Sequence, residues 1–93
     1  MMKVTIQCFA QLAHAAGASE HTRELNEGAT AQDALRAFAD STTEAARALL
    51  FTDAGELQPT ILLFLDEEPI LWSEPAPARD GSSLFVATPI AGG

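Results

Sequence analysis

Four stretches of the sequence predict an α+β fold, with helices packed on one face of a sheet. Val4, Ile6 and Cys8 alternate with Lys3, Thr5 and Gln7, which is the period of a half-buried strand. Thr30-Ala31-Gln32-Asp33 has the form of a capping box, and Ala31, Ala34, Leu35 and Phe38 then recur at spacings of three and four, giving a helix with one apolar stripe. Towards the end, the apolar run Thr60-Ile61-Leu62-Leu63-Phe64-Leu65 and the alternating run Ser83-Leu84-Phe85-Val86-Ala87-Thr88 read as strands. Strands, a helix and then further strands, without a regular βαβ alternation, make the α+β class the expected one.

Composition limits what such a domain can do. A chain of 93 residues with 47% hydrophobic content fits a single domain around one core. A net charge of −8 with five basic residues argues against a phosphate-binding surface, so no nucleic acid partner is expected. The acidity keeps a small protein soluble, and beside a functional tail it favours a basic protein partner. The single Cys8 cannot form an internal disulfide, a four-thiolate iron–sulfur site or a structural zinc site. It shares a face with Val4 and Ile6 and is expected to be a small core hydrophobe. No apolar run reaches the roughly 20 residues of a membrane span, so no membrane partner and a cytoplasmic location are expected.

Taken in order, the strand from Lys3 to Cys8 is followed by alanine-rich residues from Phe9 to Ala16, a short helix or wide loop that Gly17 ends. His14 and His21 are seven apart with Gly17 between them, which is not a ligand spacing, and surface positions are expected. Glu20 to Leu25 alternates weakly and predicts an exposed strand, bounded by the turn Asn26-Glu27-Gly28. The main helix begins after Thr30, with Arg36 and Asp40 facing away from its stripe, and ends near Asp40. Ser41-Thr42-Thr43-Glu44 repeats the S-x-x-E pattern, so a second short helix is predicted from Ala45 to Leu50. Asp53 to Glu56 reads as a turn, and the run from Thr60 to Leu65 as an inner strand. Asp66-Glu67-Glu68-Pro69 is a polar break, better read as a solvated turn than as a metal site because it lacks spaced oxygen ligands. Pro75 and Pro77 predict an irregular crossing loop up to Asp80-Gly81. No glycine–lysine phosphate loop, nucleophile elbow or carboxylate pair appears, so the chain is not expected to be an enzyme by itself.

The working end is expected at Ala91-Gly92-Gly93. Pro89 has no N–H to extend a ladder, so the strand before it delivers a tail, in which Ile90 can stay near the body while Gly92 and Gly93 accept almost any backbone angle. The block from Asp80 to Gly93, a DG turn, a strand, a proline and Gly-Gly, resembles the ending of the MoaD/ThiS family of ubiquitin-like sulfur carriers. The resemblance extends through Lys3 to Phe9, the helix after Thr30, and Gly55 to Asp66. Thr88 stands where many members carry a second proline, and Asp66 where many carry asparagine.

That resemblance implies a β-grasp, ubiquitin-like fold, a mixed sheet with one main helix packed on it. Residues 1–89 would form the domain and 90–93 a flexible diglycine tail. It implies that a ThiF/MoeB-like adenylating enzyme uses ATP to convert the carboxylate of Gly93 to an acyl-adenylate, and that sulfur transfer then makes a thiocarboxylate. The sulfur would pass to a biosynthetic enzyme of the MoaE or ThiG kind, with molybdopterin synthesis the commonest destination and thiamine, cysteine or specialised metabolites close behind. No cofactor would be bound by the carrier itself and no metal. Gly92, Ala91 and Ile90 would bind in the partner's channel, and Phe85, Pro89, Asp66, Glu67 and Glu68 are candidate interface residues. A modifier joined to lysines of other proteins through Gly93 uses the same tail, and a plain β-grasp interaction module is the remaining alternative.

Overall fold

The computed structural model describes residues 1–87, so the expected tail, Ile90, Ala91, Gly92 and Gly93, lies outside the described residues, as do Thr88 and Pro89. The elements are β1 (Met2–Cys8), α1 (Ala10–Ala16), β2 (Glu20–Leu25), α2 (Ala31–Ser41), α3 (Glu44–Leu50), β3 (Leu62–Leu65), β4 (Glu68–Ile70) and β5 (Ser83–Ala87). They build a five-stranded mixed sheet in the order β2-β1-β5-β3-β4. The β1–β5 pair is parallel, with Thr5 opposite Ser83 and Cys8 opposite Val86, and the other pairs are antiparallel. The first strand and β5 therefore lie side by side at the centre, as the β-grasp resemblance implies.

Alternation places Met2, Val4, Ile6 and Cys8 of β1 and Leu84 and Val86 of β5 in the core, all at most 1% exposed. The stripe of α2 covers them with Ala31, Ala34, Leu35 and Phe38. The capping box is present: the Thr30 hydroxyl accepts from the Asp33 N–H at 3.1 Å, and the Asp33 carboxylate accepts from the Thr30 N–H at 2.9 Å. Phe38 is fully buried in the core, with the His21 ring centroid 4.8 Å from its own and the Arg23 guanidinium 5.5 Å from it. His21 is thus half-buried against the core, whereas His14 is exposed as expected.

Three local expectations are corrected. The break between helices falls as predicted, but Thr43 rather than Ser41 caps α3. The Thr43 hydroxyl accepts from the Ala46 N–H at 3.1 Å, while the Ser41 hydroxyl turns back to the Ala37 carbonyl at 3.0 Å. The acidic break is shorter than expected. Asp66 and Glu67 have φ of 50° and 72°, which makes a two-residue hairpin turn, and Glu68 and Pro69 already belong to edge strand β4. The apolar run from Thr60 yields only four strand residues, and although β3 is inner in order, one of its faces is open, with Leu62 59% exposed.

The crossing loop from Leu71 to Asp80 is irregular, as its prolines predict, yet firmly held. The Gln32 side-chain amide donates to the carbonyls of Leu71, Trp72 and Glu74, the last at 2.7 Å, and its oxygen accepts from the Ala76 N–H at 3.1 Å. Backbone bonds from Ala31 N–H to the Ala76 carbonyl and from Ala78 N–H to the Ala29 carbonyl complete the clasp. Replacement Gln32→Ala strips these partners from a loop most of whose residues are exposed, where water replaces part of the loss, and is expected to cost about 1 kcal/mol. That is a fall in melting temperature on the order of 4–8 °C for each kcal/mol in a domain this small. A loss below 0.5 kcal/mol in thermal or denaturant unfolding would show that the loop is held without Gln32.

Candidate functional site

The two sides of β5 have different jobs. Leu84 and Val86 point into the core, so Ser83, Phe85 and Ala87 must face the side away from the helices. In register with them, Gln7 of β1 lies beside Phe85, Phe64 of β3 opposite Phe85, Leu62 opposite Ala87, and Pro69 opposite Phe64. Residues directly opposite in a ladder share a face, so Leu62, Phe64, Pro69 and Phe85 form one apolar row on the outer side of the sheet.

Phe9 extends this row. The chain leaves β1 extended at Phe9, with φ −131° and ψ 156°, and turns sharply at Ala10, whose φ is 51°. A left-handed alanine costs on the order of 1 kcal/mol, and the turn lets α1 fold back over the core while Phe9 stays outside. Its ring lies 5.7 Å from that of Phe85 and it is 46% exposed. Beyond β3 the row runs into an open groove of about 440 Å³, lined in part by Pro59, Leu62, Phe64, Leu71 and Trp72. Leu62 and Leu71, 59% and 64% exposed, make this the apolar side of an otherwise acidic protein. Exposed apolar surface gathered in one place marks a contact surface.

Position gives the patch its meaning. Phe9 and Leu62 flank the end of β5 at which the chain passes from Ala87 towards Gly93. Phe85 is therefore beside the outlet of the tail. For Phe85, strand alternation by itself leaves core and interface equally open, and the structure places it on the outer face, away from the core. Pro89, Ile90, Ala91, Gly92 and Gly93 lie outside the described residues. The acidic residues are elsewhere: β3 runs antiparallel to β5, so the hairpin turn sits by the start of β5 rather than its end. The Asp66 carboxylate is already engaged, accepting from the Ser82 hydroxyl at 2.8 Å and the Ser83 N–H at 2.9 Å, while Glu67 and Glu68 are exposed. Sequence reasoning passed over Phe9, Leu62 and Phe64. The signal available was the excess of apolar residues at both parities of the run from Thr60 to Leu65, more than a sheet with helices on one side can bury.

Cys8 has no part in this surface. It is 1% exposed on the inner face, and burial pushes its thiol up from 9.0 to about 11. Among the described residues no group of three His, Cys, Asp or Glu side chains is placed to hold a metal ion, and no helix there is long and apolar enough to cross a membrane.

No protein-family model and no curated protein matches the sequence. Solved structures do. SAMP1 of Haloferax volcanii, a small archaeal modifier protein, superposes with a TM-score of 0.83 at 28% identity, over 98% of this chain and 99% of its own. The putative molybdopterin converting factor subunit 1 of Pyrococcus furiosus gives 0.74 at 22% identity, over 97% of this chain and 100% of its own. A chain of the BexX/CysO complex of Amycolatopsis orientalis gives 0.70 at 24%, over 97% and 99%. The neighbours are small ubiquitin-like carrier or modifier proteins, and the five-stranded mixed sheet with its helices places this chain in the same general class by fold. These structural neighbours are ubiquitin-like proteins of the MoaD/ThiS family, and the chain is similar to them.

The buried thiol generates a pH prediction. Cys8 is neutral in both folded and unfolded protein below pH 9.0, so its burial costs nothing there. As pH rises from 9.0 towards about 11 the unfolded chain ionises first, and stability falls, by up to about 3 kcal/mol in the full interval. Denaturant unfolding of wild type and Cys8→Ala across that range should show a steeper decline in wild type, whereas parallel declines would show that Cys8 is not shielded in the folded state.

Proposed function

We propose that the chain is a sulfur carrier whose working atom is the carboxyl carbon of Gly93. The observation that carries this reading is the placement of the outlet of β5, which leads towards the diglycine, beside an exposed apolar patch on a fold shared with proteins of this family. A carboxylate is a poor electrophile. A ThiF/MoeB-like enzyme remedies this when a carboxylate oxygen of Gly93 attacks the α-phosphorus of ATP and pyrophosphate leaves. Hydrosulfide released by a sulfur donor then adds to the acyl carbon, the C–O bond to AMP breaks, AMP departs with the bonding pair, and a thiocarboxylate remains once the proton passes to solvent. ATP is the partner's co-substrate, and the carrier's described residues supply no base to the reaction.

Each part of the chain has a share in this. Residues 1–89 act as the handle and 90–93 as the arm. Gly92 permits close backbone approach in the partner's channel, Ala91 keeps the next position small, and Ile90 and Pro89 guide the arm from the patch. Phe9 and Phe85 anchor the adenylating enzyme, and after it the sulfur-accepting enzyme, because aromatic residues central to an apolar patch carry most of an interface's energy. Glu67 and Glu68, at the far end of the sheet, add to a net negative field that speeds encounter with a basic partner. Molybdopterin synthesis is the favoured destination, supported by the likeness to the Pyrococcus furiosus subunit, and an ATP-dependent partner implies a cytoplasmic setting. A second reading, a modifier conjugated through Gly93, draws support from the likeness to the small archaeal modifier protein. It shares the activation step and differs in the acceptor.

ATP–pyrophosphate exchange with the cognate adenylating enzyme tests the common step. Deletion of Gly93 is expected to abolish exchange while leaving unfolding within about 0.5 kcal/mol of wild type, as for a surface change. Phe9→Ala and Phe85→Ala are each expected to weaken association with that enzyme by roughly 2 kcal/mol, about 30-fold. Undiminished exchange without Gly93 would refute the tail as the reactive end, and unchanged affinity in both alanine variants would remove the patch from the docking surface.

A further inference from the structure

The sequence contains one lysine, Lys3, and its other cations are Arg23, Arg36, Arg47 and Arg79. The two residue types differ chemically towards an activated acyl group. A guanidinium stays protonated and does not attack it, whereas a lysine amine does once it loses its proton. Among its side chains the protein therefore presents a single amine to any acyl-adenylate formed on a copy of itself.

The fold puts that amine in a definite place. Lys3 lies in β1 between the buried Met2 and Val4, so its side chain points to the outer, open side of the sheet and is exposed. Among the described residues no carboxylate pairs with it, and the one ion pair there joins the Met1 amine to Glu27 at 3.9 Å. Its backbone holds the turn that starts β5: the Lys3 N–H donates to the Asp80 carboxylate at 2.8 Å, and the Lys3 carbonyl accepts from the Gly81 N–H at 2.8 Å. Lys3 is thus where the chain enters β5, and Ala87 is near where it leaves. The parallel register, with Cys8 beside Val86, separates the two by about six strand residues, roughly 20 Å. The six residues from Thr88 to Gly93 span at most roughly 20 Å. A tail reaching its own Lys3 would be stretched back along the whole sheet, with no length left inside an activating enzyme.

We infer that Lys3 is the single side-chain acceptor for self-conjugation, and that its donor is the activated Gly93 of a second copy of this chain. The inference rests on the activation of Gly93 proposed above. In the step, the deprotonated Nζ of Lys3 attacks the acyl carbon of the Gly93 adenylate on the other copy. A C–N bond forms, the C–O bond to AMP breaks, AMP leaves with the bonding pair, and the proton passes to solvent. No oxidant or reductant is needed. Because each copy has one donor end and one side-chain acceptor, the product is an unbranched string with one kind of isopeptide link.

The test combines the chain with its adenylating enzyme and ATP, without a sulfur donor, and compares wild type with Lys3→Arg, which keeps the charge and removes the amine. Wild type should give covalent dimers and higher strings, and trypsin should release a branched peptide in which residues 80–93 are joined to Lys3 of residues 1–23. Lys3→Arg should lose at least nine-tenths of these products while pyrophosphate exchange is unchanged. Strings that persist in Lys3→Arg, or exchange in wild type without the branched peptide, would overturn the inference and leave the activation of Gly93 standing. Absence of exchange in wild type would overturn that activation, and the inference with it.

Discussion

Parallel pairing of β1 with β5 is the constraint on which the rest of the structure depends. A late stretch of the chain is inserted at the centre of the sheet, between the first strand and β3, rather than added at an edge. Such a pairing joins residues nearly eighty positions apart, so its closure entropy must be offset by contacts that form only once it is made. Those contacts are concentrated at the entry. Lys3 and Thr5 bond the Asp80-Gly81-Ser82 turn through their backbones, and the Asp66 carboxylate grips Ser82 and Ser83 from the β3 side. Gly81, with φ of 88°, allows the turn a conformation that a side chain would oppose. Central insertion also fixes where the chain leaves the sheet, at Ala87 between β1 and β3.

The same pairing divides the sheet into a buried side and an open side. On the inner side, Val4, Ile6, Leu84 and Val86 meet Leu35 and Phe38 and are lost to solvent. On the outer side, Phe9, Leu62, Phe64 and Phe85 keep apolar surface that folding does not require. This surface sits on a chain of net charge −8, whose repulsion between copies opposes association through it. The left-handed backbone at Ala10 is consistent with this division, since the bend that costs energy there holds Phe9 outside.

Much of this was legible in the sequence where the signal was local. The alternation from Lys3 to Cys8, the Thr30–Asp33 capping box and the prolines of the crossing loop each act within a few residues, and each is realised. Non-local or ambiguous signals were not legible. Ser41 and Thr43 both suit a helix start, and the choice fell to Thr43 because its hydroxyl also reaches the Ala15 carbonyl at 2.8 Å. The Asp66-Glu67 turn has no glycine or asparagine to announce its positive φ values. Gln32 looks like any polar helix residue, and only the folded loop shows its amide bonded on both ends. Phe64 and Phe85 were ambiguous because apolar residues at both parities give strand alternation no phase to read. The expected tail rests on Pro89, Gly92 and Gly93 together with the resemblance, and it lies outside the described residues.

The central claim is that this fold exists to present Gly93 for sulfur loading, and intact-mass measurement tests it most directly. After incubation with the cognate adenylating enzyme, ATP and a sulfur donor, the account predicts a gain equal to one oxygen-to-sulfur exchange, located by fragmentation on Gly93 and dependent on ATP. An unchanged mass in the presence of an enzyme shown to be active on this chain by pyrophosphate exchange would contradict it.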